Sequence, residues 1–145
     1  MINNAAKQAT VYFAENDFFI GVTPSGHAVT LDTNSERSAA PSPADLLLIA
    51  LGSCTGVDVI CILKKKRQHV TDYRVEVTGE RRDEHPRGFK LLRVRHLVTG
   101  HNISAQAVTQ AIELSDKKYC SVAATLRPAA EIISSFEIIE ENHVE

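Results

Sequence analysis

The sequence predicts an α+β protein in which a long apolar helix lies against one or two sheets. Three observations support this fold class. Short segments of alternating apolar and polar residues precede and follow one long apolar segment at residues 46–63. Turn-forming residues separate the segments, and their order reads βββ-α-ββ-α-β, so strands and helices are grouped rather than strictly alternating. A length of 145 residues with 43% hydrophobic residues predicts one globular domain over residues 1–145.

The first third of the chain predicts three short strands that form a meander. Alternating side chains at residues 10–13 indicate the first strand, and apolar residues at 18–22 indicate the second. Residues 23–26, Thr-Pro-Ser-Gly, are typical of a β-turn, because proline presets the second position and glycine suits the fourth. Residues 28–31 then form the third strand.

Residues 32–42 are small and polar, and they predict a loop that leads into a helix. Ser42 is suited to the N-cap, Pro43 to the first helical position and Asp45 to the acidic position of a capping box. The helix is predicted to run to about Gln68. The basic residues before that point would interact favourably with the negative C-terminal end of the helix dipole.

The predicted helix is apolar on nearly every side. Its segment 46–63 approaches the length of a membrane span, but Asp58 within it would cost about 2.5–3.5 kcal/mol in lipid. We therefore interpret this segment as the core helix of a soluble protein that does not enter a membrane. Such a helix must be enclosed, and the remaining strands and one further helix are too few to enclose it. A second copy of the chain is expected to supply the missing wall, which predicts an intertwined homodimer.

The second half of the chain predicts a hairpin, a helix and a last strand. The hairpin strands cover residues 73–80 and 89–98, with alternating side chains. A helix over residues 104–117 follows, then a short helical turn over 122–127 and a strand over 132–139. The inward-facing hairpin residues are Tyr73, Val75, Val77, Leu92, Val94 and Val98.

Charge and composition exclude several classes of function. The net charge of −2 gives no electrostatic case for nucleic acid. Three cysteines are too few for a disulfide-stapled secreted domain, and the N-terminus lacks the pattern of a signal peptide, so the reducing cytoplasm is the expected compartment. The scattered histidines show no ligand spacing with the cysteines, which predicts that the protein binds no metal. The sequence also lacks a glycine-rich phosphate loop, so we expect no cofactor.

The cysteines carry the reactive chemistry that the sequence offers. Cys54 and Cys61 are two turns apart on the long helix and share one face, and Cys61 is interpreted as inert packing. Gly52 and Gly56 flank Cys54, and each costs about 1 kcal/mol in a helix relative to alanine. Close approach of another backbone or of a ligand is the expected reason for these glycines. Cys54 is therefore either a reactive thiol or a core residue.

Cys120 lies where the second helix is interrupted. If a new helical turn begins at Cys120 or Ser121, its free amides would favour a thiolate, and so would Lys117 and Lys118. The alternative is a buried loop thiol.

The two cysteine segments together resemble a known family. Pro43 is followed eleven residues later by Cys54 within LLLIALGSCTGVDVICILKKKRQ, and DKKYCSVAATL surrounds Cys120. Both segments, in this order, resemble the OsmC/Ohr family of osmotically inducible and organic hydroperoxide resistance proteins, and the resemblance covers roughly residues 35–140. The LGSCTGVDV form resembles the broad OsmC-like branch more than the Ohr branch.

The resemblance implies a swapped homodimer that acts as a thiol peroxidase on organic hydroperoxides. Cys54 would be the peroxidatic thiolate and Cys120 the resolving cysteine, and a dithiol reductant would restore both. Family members activate the thiolate with an arginine that a helix-opening glutamate holds. Arg37 is the one arginine before Arg67 and becomes the candidate cation, unless it is a solvated loop charge.

The acidic position departs from the family pattern. In the peroxidase members the acid follows the helix-opening proline directly, whereas here Ala44 occupies that position and Asp45 comes one residue later. Asp45 is the candidate partner of Arg37, and the alternative is that it only caps its helix. This departure keeps a second interpretation open, in which the chain is an OsmC-like redox-sensing or small-molecule-binding dimer with little peroxidase turnover.

Overall fold

The computed structural model describes residues 5–142. The secondary structure follows the predicted α+β order, with one helical segment more than expected. The chain divides into two compact units, residues 1–47 and 48–145, and each is described by itself. The single domain expected over residues 1–145 stays a prediction.

The N-terminal unit contains the predicted meander. Strands β1 (Thr10–Glu15), β2 (Phe18–Val22) and β3 (Ala28–Asp32) form an antiparallel sheet in that order. The predicted turn joins β2 to β3, and its Gly26 N–H donates to the Thr23 carbonyl over 2.9 Å. The pairing register places one apolar face on this sheet, formed by Val11, Phe13, Phe19, Val29 and Leu31.

The long helix α1 (Pro43–Lys65) begins with the predicted capping box. The Ser42 N–H donates to Asp45 Oδ2 over 2.9 Å, and the Asp45 N–H donates to Ser42 Oγ over 3.1 Å. The helix ends three residues before the expected Gln68. Arg67 has a positive φ of 56°, and the N–H groups of Arg67 and Gln68 donate to the carbonyls of Lys64 and Leu63. This Schellman arrangement ends the helix without glycine.

The C-terminal unit contains a second sheet in the order β4-β5-β6. The predicted hairpin consists of β4 (His69–Arg81) and β5 (Phe89–His101), and β6 (Glu131–Glu140) lies parallel to β5. Its outer face carries charged residues, among which Arg95 pairs with Glu76 and Glu137. The inner face packs against helices.

The connection from β5 to β6 is helical but not continuous. The helix α2 (Ala105–Leu114) begins at the N-cap Ser104, a π-helical turn covers Ser115–Tyr119, and α3 (Ser121–Leu126) follows. The expected helix over 104–117 therefore changes its hydrogen bonding at Ser115. The Cys120 N–H donates to the Ser115 carbonyl five residues earlier over 2.9 Å, which is π-helical spacing.

The glycines of α1 allow strand β4 to lie close to the helix. A Cβ on Gly52 would stand 3.0 Å from Val77, and one on Gly56 would stand 3.3 Å from Val75. The expected close approach is therefore present, and side chains of β4 make it.

The helix α1 also has the length and composition of a membrane span. A third of its apolar window is buried inside the chain. The core helix of a soluble protein meets the same length and composition, so this single helix is weak evidence for a span.

Candidate active site

Cys54 packs against the buried cluster that contains Cys120, and no disulfide joins the three cysteines. Cys54 lies near the middle of α1 and is half-buried, whereas Cys120 is 3% exposed. Cys120 follows the π-helical turn and is the N-cap of α3, where its sulfur accepts the Ala123 N–H over 3.3 Å. Cys61, which we expected to be packed, is exposed.

The start of α3 provides hydrogen-bond donors to Cys54. Ser121 Oγ lies 3.9 Å from Cys54 Sγ. Burial would raise the pKa of Cys54, but hydrogen bonds from the Val122 N–H, the Cys120 thiol and the Ser121 hydroxyl lower the pKa below its ordinary value. These donors act against the nearby negative charge of Asp58, which favours the neutral thiol.

Cys120 shows the opposite behaviour. Burial raises the pKa of the Cys120 thiol to about 11, and the hydrogen bond that it donates to Cys54 raises the pKa further, although the Ala123 N–H opposes the shift. The two thiols therefore differ. Cys54 is the one that ionises more readily, and Cys120 is a protonated donor beside it.

Arg37 is held by Asp32 within the N-terminal unit. Its Nε and Nη2 donate to the two carboxylate oxygens of Asp32 over 2.8 and 2.7 Å, and its guanidinium lies 4.1 Å from the centre of the Phe18 ring. Asp32 also accepts the N–H groups of Asn34 and Ala39 over 2.9 Å each. The Arg37 hydrogen bonds hold the pKa of Asp32 far below its ordinary value, against the effect of burial.

Asp45 has a different partner from the one that the resemblance implied. Its carboxylate accepts the Ser42 N–H, and hydrogen bonds from Ser42 lower the pKa of Asp45. The carboxylate that binds Arg37 is that of Asp32, so the structure shows Asp45 as a helix cap. The catalytic roles expected for Arg37 and Asp45 stay predictions.

Sequence reasoning missed three polar residues beside the thiols. Ser115 Oγ donates to Asp58 Oδ2 over 2.9 Å and lies 2.9 Å from Thr55 Oγ1. Asp58 was visible as the lone acid in the apolar segment, but it served only as an argument against a membrane span. Ser115 belonged to the apolar face of its predicted helix, and it is fully buried.

A fourth missed residue is His96, which is fully buried on β5. Its Nδ1 lies 2.6 Å from the Tyr73 hydroxyl, and its Nε2 has no hydrogen-bond partner among the described residues. Burial lowers the pKa of His96 to about 4. The strand alternation that placed Leu92, Val94 and Val98 inward also places His96 inward, so the signal was present in the sequence.

This fold and this thiol pair define an α+β protein with two interacting cysteines on adjoining helices. The family model described as OsmC-like protein matches residues 34–135. The chain therefore belongs to the OsmC-like family.

Similar proteins cover nearly the whole chain. Protein YhfA of Escherichia coli K12 is 43% identical over 132 residues, which is 91% of this chain and 98% of YhfA. The crystal structure of a hypothetical protein from Aquifex aeolicus VF5 is 33% identical with a TM-score of 0.84, and the match covers 95% of this chain and 99% of that one. The organic hydroperoxide resistance protein OhrB of Bacillus subtilis shares the fold at 12% identity, with a TM-score of 0.63 and coverage of 92% and 98%.

Proposed function

We propose that the chain is a thiol peroxidase that reduces organic hydroperoxides. The observation that carries the proposal is the asymmetry of the thiol pair. Hydrogen-bond donors at the start of α3 favour the thiolate of Cys54, whereas the buried Cys120 stays protonated and donates to it. A nucleophile next to a protonated second thiol is the arrangement that a two-cysteine peroxidase needs.

The proposed reaction has two steps in the protein. The Cys54 thiolate attacks the terminal peroxide oxygen, the O–O bond breaks, and the alkoxide takes a proton and leaves as an alcohol. Cys54 is oxidised by two electrons to a sulfenic acid. The Cys120 sulfur then attacks the Cys54 sulfur, the S–O bond breaks, and the hydroxyl group leaves as water with the Cys120 proton. A dithiol reductant returns the disulfide to two thiols and is itself oxidised to a disulfide.

The fold supports a peroxide-related role. Among the proteins that share it are chains named as organic hydroperoxide resistance proteins from Bacillus subtilis, Elizabethkingia anophelis and Legionella pneumophila. In the proposal, Arg37 and Asp45 are the positions at which the resemblance predicts the activating cation and its acid. Arg37 contacts Asp32 and Asp45 contacts Ser42, so the role of each residue is tested with its own variants.

We propose that the active form is a homodimer in the cytoplasm. Ile49 and Val57 on α1 are each 56% exposed, although they lie in the middle of an apolar helix. They line an open groove of about 530 Å³ together with Tyr73 and Val75 of β4. Apolar surface of this kind marks an interface, and a second copy of the chain is its proposed occupant. The reducing cytoplasm would supply the dithiol.

The proposal is tested by counting thiols after one equivalent of cumene hydroperoxide. We expect rapid loss of two thiols, and mass spectrometry should locate a bond between Cys54 and Cys120. Cys54→Ser should react with no peroxide, and Cys120→Ser should stop at an oxidised Cys54. Cys61→Ser is the matched control and should behave as the wild type. Three unreacted thiols in the wild type would contradict the proposal.

A second candidate function is redox sensing or small-molecule binding by the same dimer, with little turnover. The observation that favours it is that Asp32, rather than Asp45, binds Arg37. A sensor would form the disulfide once but would turn over slowly with excess peroxide and dithiothreitol. Sustained peroxide consumption over many equivalents would favour the peroxidase.

A further inference from the structure

A chain of hydrogen bonds links the two elements that carry the thiols. Ser115 donates its hydroxyl hydrogen to Asp58 Oδ2. Since a serine hydroxyl has one hydrogen, Thr55 must be the donor in the 2.9 Å contact between Thr55 Oγ1 and Ser115 Oγ. We call these three residues, Thr55, Ser115 and Asp58, the clasp. Thr55 is 2% exposed and Ser115 is fully buried, so breaking the clasp leaves a buried hydroxyl unpaired.

The clasp residues flank both cysteines. Thr55 follows Cys54 directly, and Asp58 lies one turn further along α1. The Ser115 carbonyl accepts the Cys120 N–H and thereby closes the π-helical turn. One residue is therefore bound through its side chain to the helix of Cys54 and through its main chain to Cys120.

The same π-helical turn is fixed separately on another side. Asp116 Oδ2 accepts the Ser134 hydroxyl on β6 over 2.9 Å, and the Asp116 carbonyl accepts Arg127 Nη1 over 2.9 Å. These bonds hold the turn to the sheet and to the end of α3, whereas the clasp holds it to α1. A π-helical turn is rare, and it is frequent at functional sites.

We propose that Asp58 is a positioning residue for the thiol pair: through Ser115 it fixes the π-helical turn so that Cys120 meets Cys54 for disulfide formation. The inference deepens the proposed function and rests on it, because the disulfide is the second step of that reaction. In this role Asp58 acts through its hydrogen bond to Ser115.

The charge of Asp58 supports positioning rather than activation of a thiol. The titratable groups that feel this charge are Cys54 on α1, Cys120 beside the turn and Tyr73 on β4. Besides burial, the negative charge raises the pKa of Cys120 and Tyr73, and it opposes the lowered pKa of Cys54. A carboxylate here works against thiolate formation, so its contribution to the site is the hydrogen bond to Ser115.

The test oxidises the reduced full chain with diamide, an azo compound that takes two electrons and two protons as a dithiol becomes a disulfide. Mass spectrometry follows formation of the Cys54–Cys120 bond in the wild type and in four variants. Ser115→Ala and Asp58→Ala should slow this step at least tenfold relative to the wild type. Asp58→Asn keeps an acceptor for the Ser115 hydroxyl and should stay within about threefold of the wild type.

Alkylation of Cys54 by iodoacetamide separates charge from positioning. Both Asp58 variants should lower the pH of half-maximal alkylation, because both remove the negative charge. Ser115→Ala keeps the charge and should leave that pH unchanged. Ser53→Ala is the matched control, because the Ser53 hydroxyl donates back to carbonyls of its own helix, and it should match the wild type in both measurements.

Equal disulfide rates in the wild type, Ser115→Ala and Asp58→Ala would overturn the inference. An Asp58→Asn protein as slow as Asp58→Ala would also overturn it, because the hydrogen bond would then not be the cause. If Ser115→Ala fails to fold, the two Asp58 variants carry the same comparison. Since diamide requires no peroxide, a chain that is inert to cumene hydroperoxide but shows these rates would remove only the peroxidase proposal.

Discussion

Arg37 in the N-terminal unit and Cys54 in the C-terminal unit are both groups whose charge matters for thiol chemistry, but their surroundings differ. Arg37 binds a carboxylate with no exposed side-chain surface, so its charge is compensated locally. Cys54 is approached by neutral donors, an amide, a hydroxyl and a thiol, which favour its negative form without cancelling it. Neutral hydrogen-bond donors therefore lower the pKa of Cys54, whereas the charge of Arg37 is paired with the carboxylate of Asp32.

The largest expected effect is that of pH on stability, through the buried side chain of His96. Asp32 has three donor residues for its carboxylate, whereas the buried His96 has, among residues 5–142, a partner at one nitrogen only, the Tyr73 hydroxyl. The unfolded chain takes up a proton on His96 near pH 6.5, but the folded chain resists it until about pH 4. The contribution of His96 to stability is therefore complete above pH 6.5 and falls as the pH decreases to 4, by about 3 kcal/mol.

Denaturant unfolding at pH 7 and pH 4 measures this loss. His96→Gln keeps a polar group on β5 but removes the titration. Between pH 7 and pH 4, the unfolding free energy of this variant should therefore fall by about 3 kcal/mol less than that of the wild type. His27→Gln is the control, because it makes the same substitution at an exposed histidine. Parallel pH profiles for the wild type and His96→Gln would contradict the prediction.

The second effect separates the two roles of Asp45. Asp45→Ala removes the carboxylate of the capping box and should lower the unfolding free energy by about 1 kcal/mol. Ser42→Ala removes the other half of the same box and should cost a similar amount. Neither change should alter the rate at which Cys54 reacts with iodoacetamide. A loss of Cys54 reactivity in Asp45→Ala that Ser42→Ala does not show would support the catalytic role that the resemblance implies.

The surroundings of Cys54 were predicted from the sequence only in part. The element order follows from spacing and turns, and the structure agrees with it. The resemblance implied the pair of Cys54 and Cys120, and Cys54 packs against the buried cluster that contains Cys120. The neighbours of the pair do not follow, because residues 104–117 fit an α-helical pattern and nothing in that pattern shows the π-helical turn. That turn brings the Ser115 hydroxyl to Asp58 and places Cys120 at the start of α3.

Arg37 shows a different limit. Asp32 and Asp45 stand five and eight residues away from it, and the sequence pattern offers no reason to prefer the nearer acid. The loop geometry decides, because Asp32 ends β3 and accepts two loop N–H groups as well as the guanidinium. His96 is a different case, since simple alternation along β5 was sufficient to place it inward.

The third effect tests the neutral donors around Cys54. Ser121→Ala removes a hydroxyl that lies 3.9 Å from the sulfur, which is a long contact. We expect the pKa of Cys54 to rise and the alkylation rate at pH 7 to fall about threefold, in line with the modest net value of one hydrogen bond. Thr125→Ala removes an exposed hydroxyl of the same short helix that bonds to the Ser121 carbonyl, and it is the control. An unchanged rate in Ser121→Ala would leave the Val122 amide and Cys120 as the activating groups.

The smallest expected effect is that of Arg37 on the reactivity of Cys54. A guanidinium that is bound through two nitrogens to a carboxylate forms a nearly neutral pair, and the field of such a pair is weak and screened by salt. Arg37→Gln should therefore lower the melting temperature, because Asp32 loses its partner, while the alkylation rate of Cys54 changes by less than about twofold. Asp32→Asn should lower the melting temperature in the same way. Because this variant leaves the charge of Arg37 unpaired, the reactivity of Cys54 should not decrease. A tenfold loss of Cys54 reactivity in Arg37→Gln, with normal reactivity in Asp32→Asn, would instead make Arg37 the activating cation of the thiolate. In that case the charge of Arg37 would act on Cys54 as well as on Asp32.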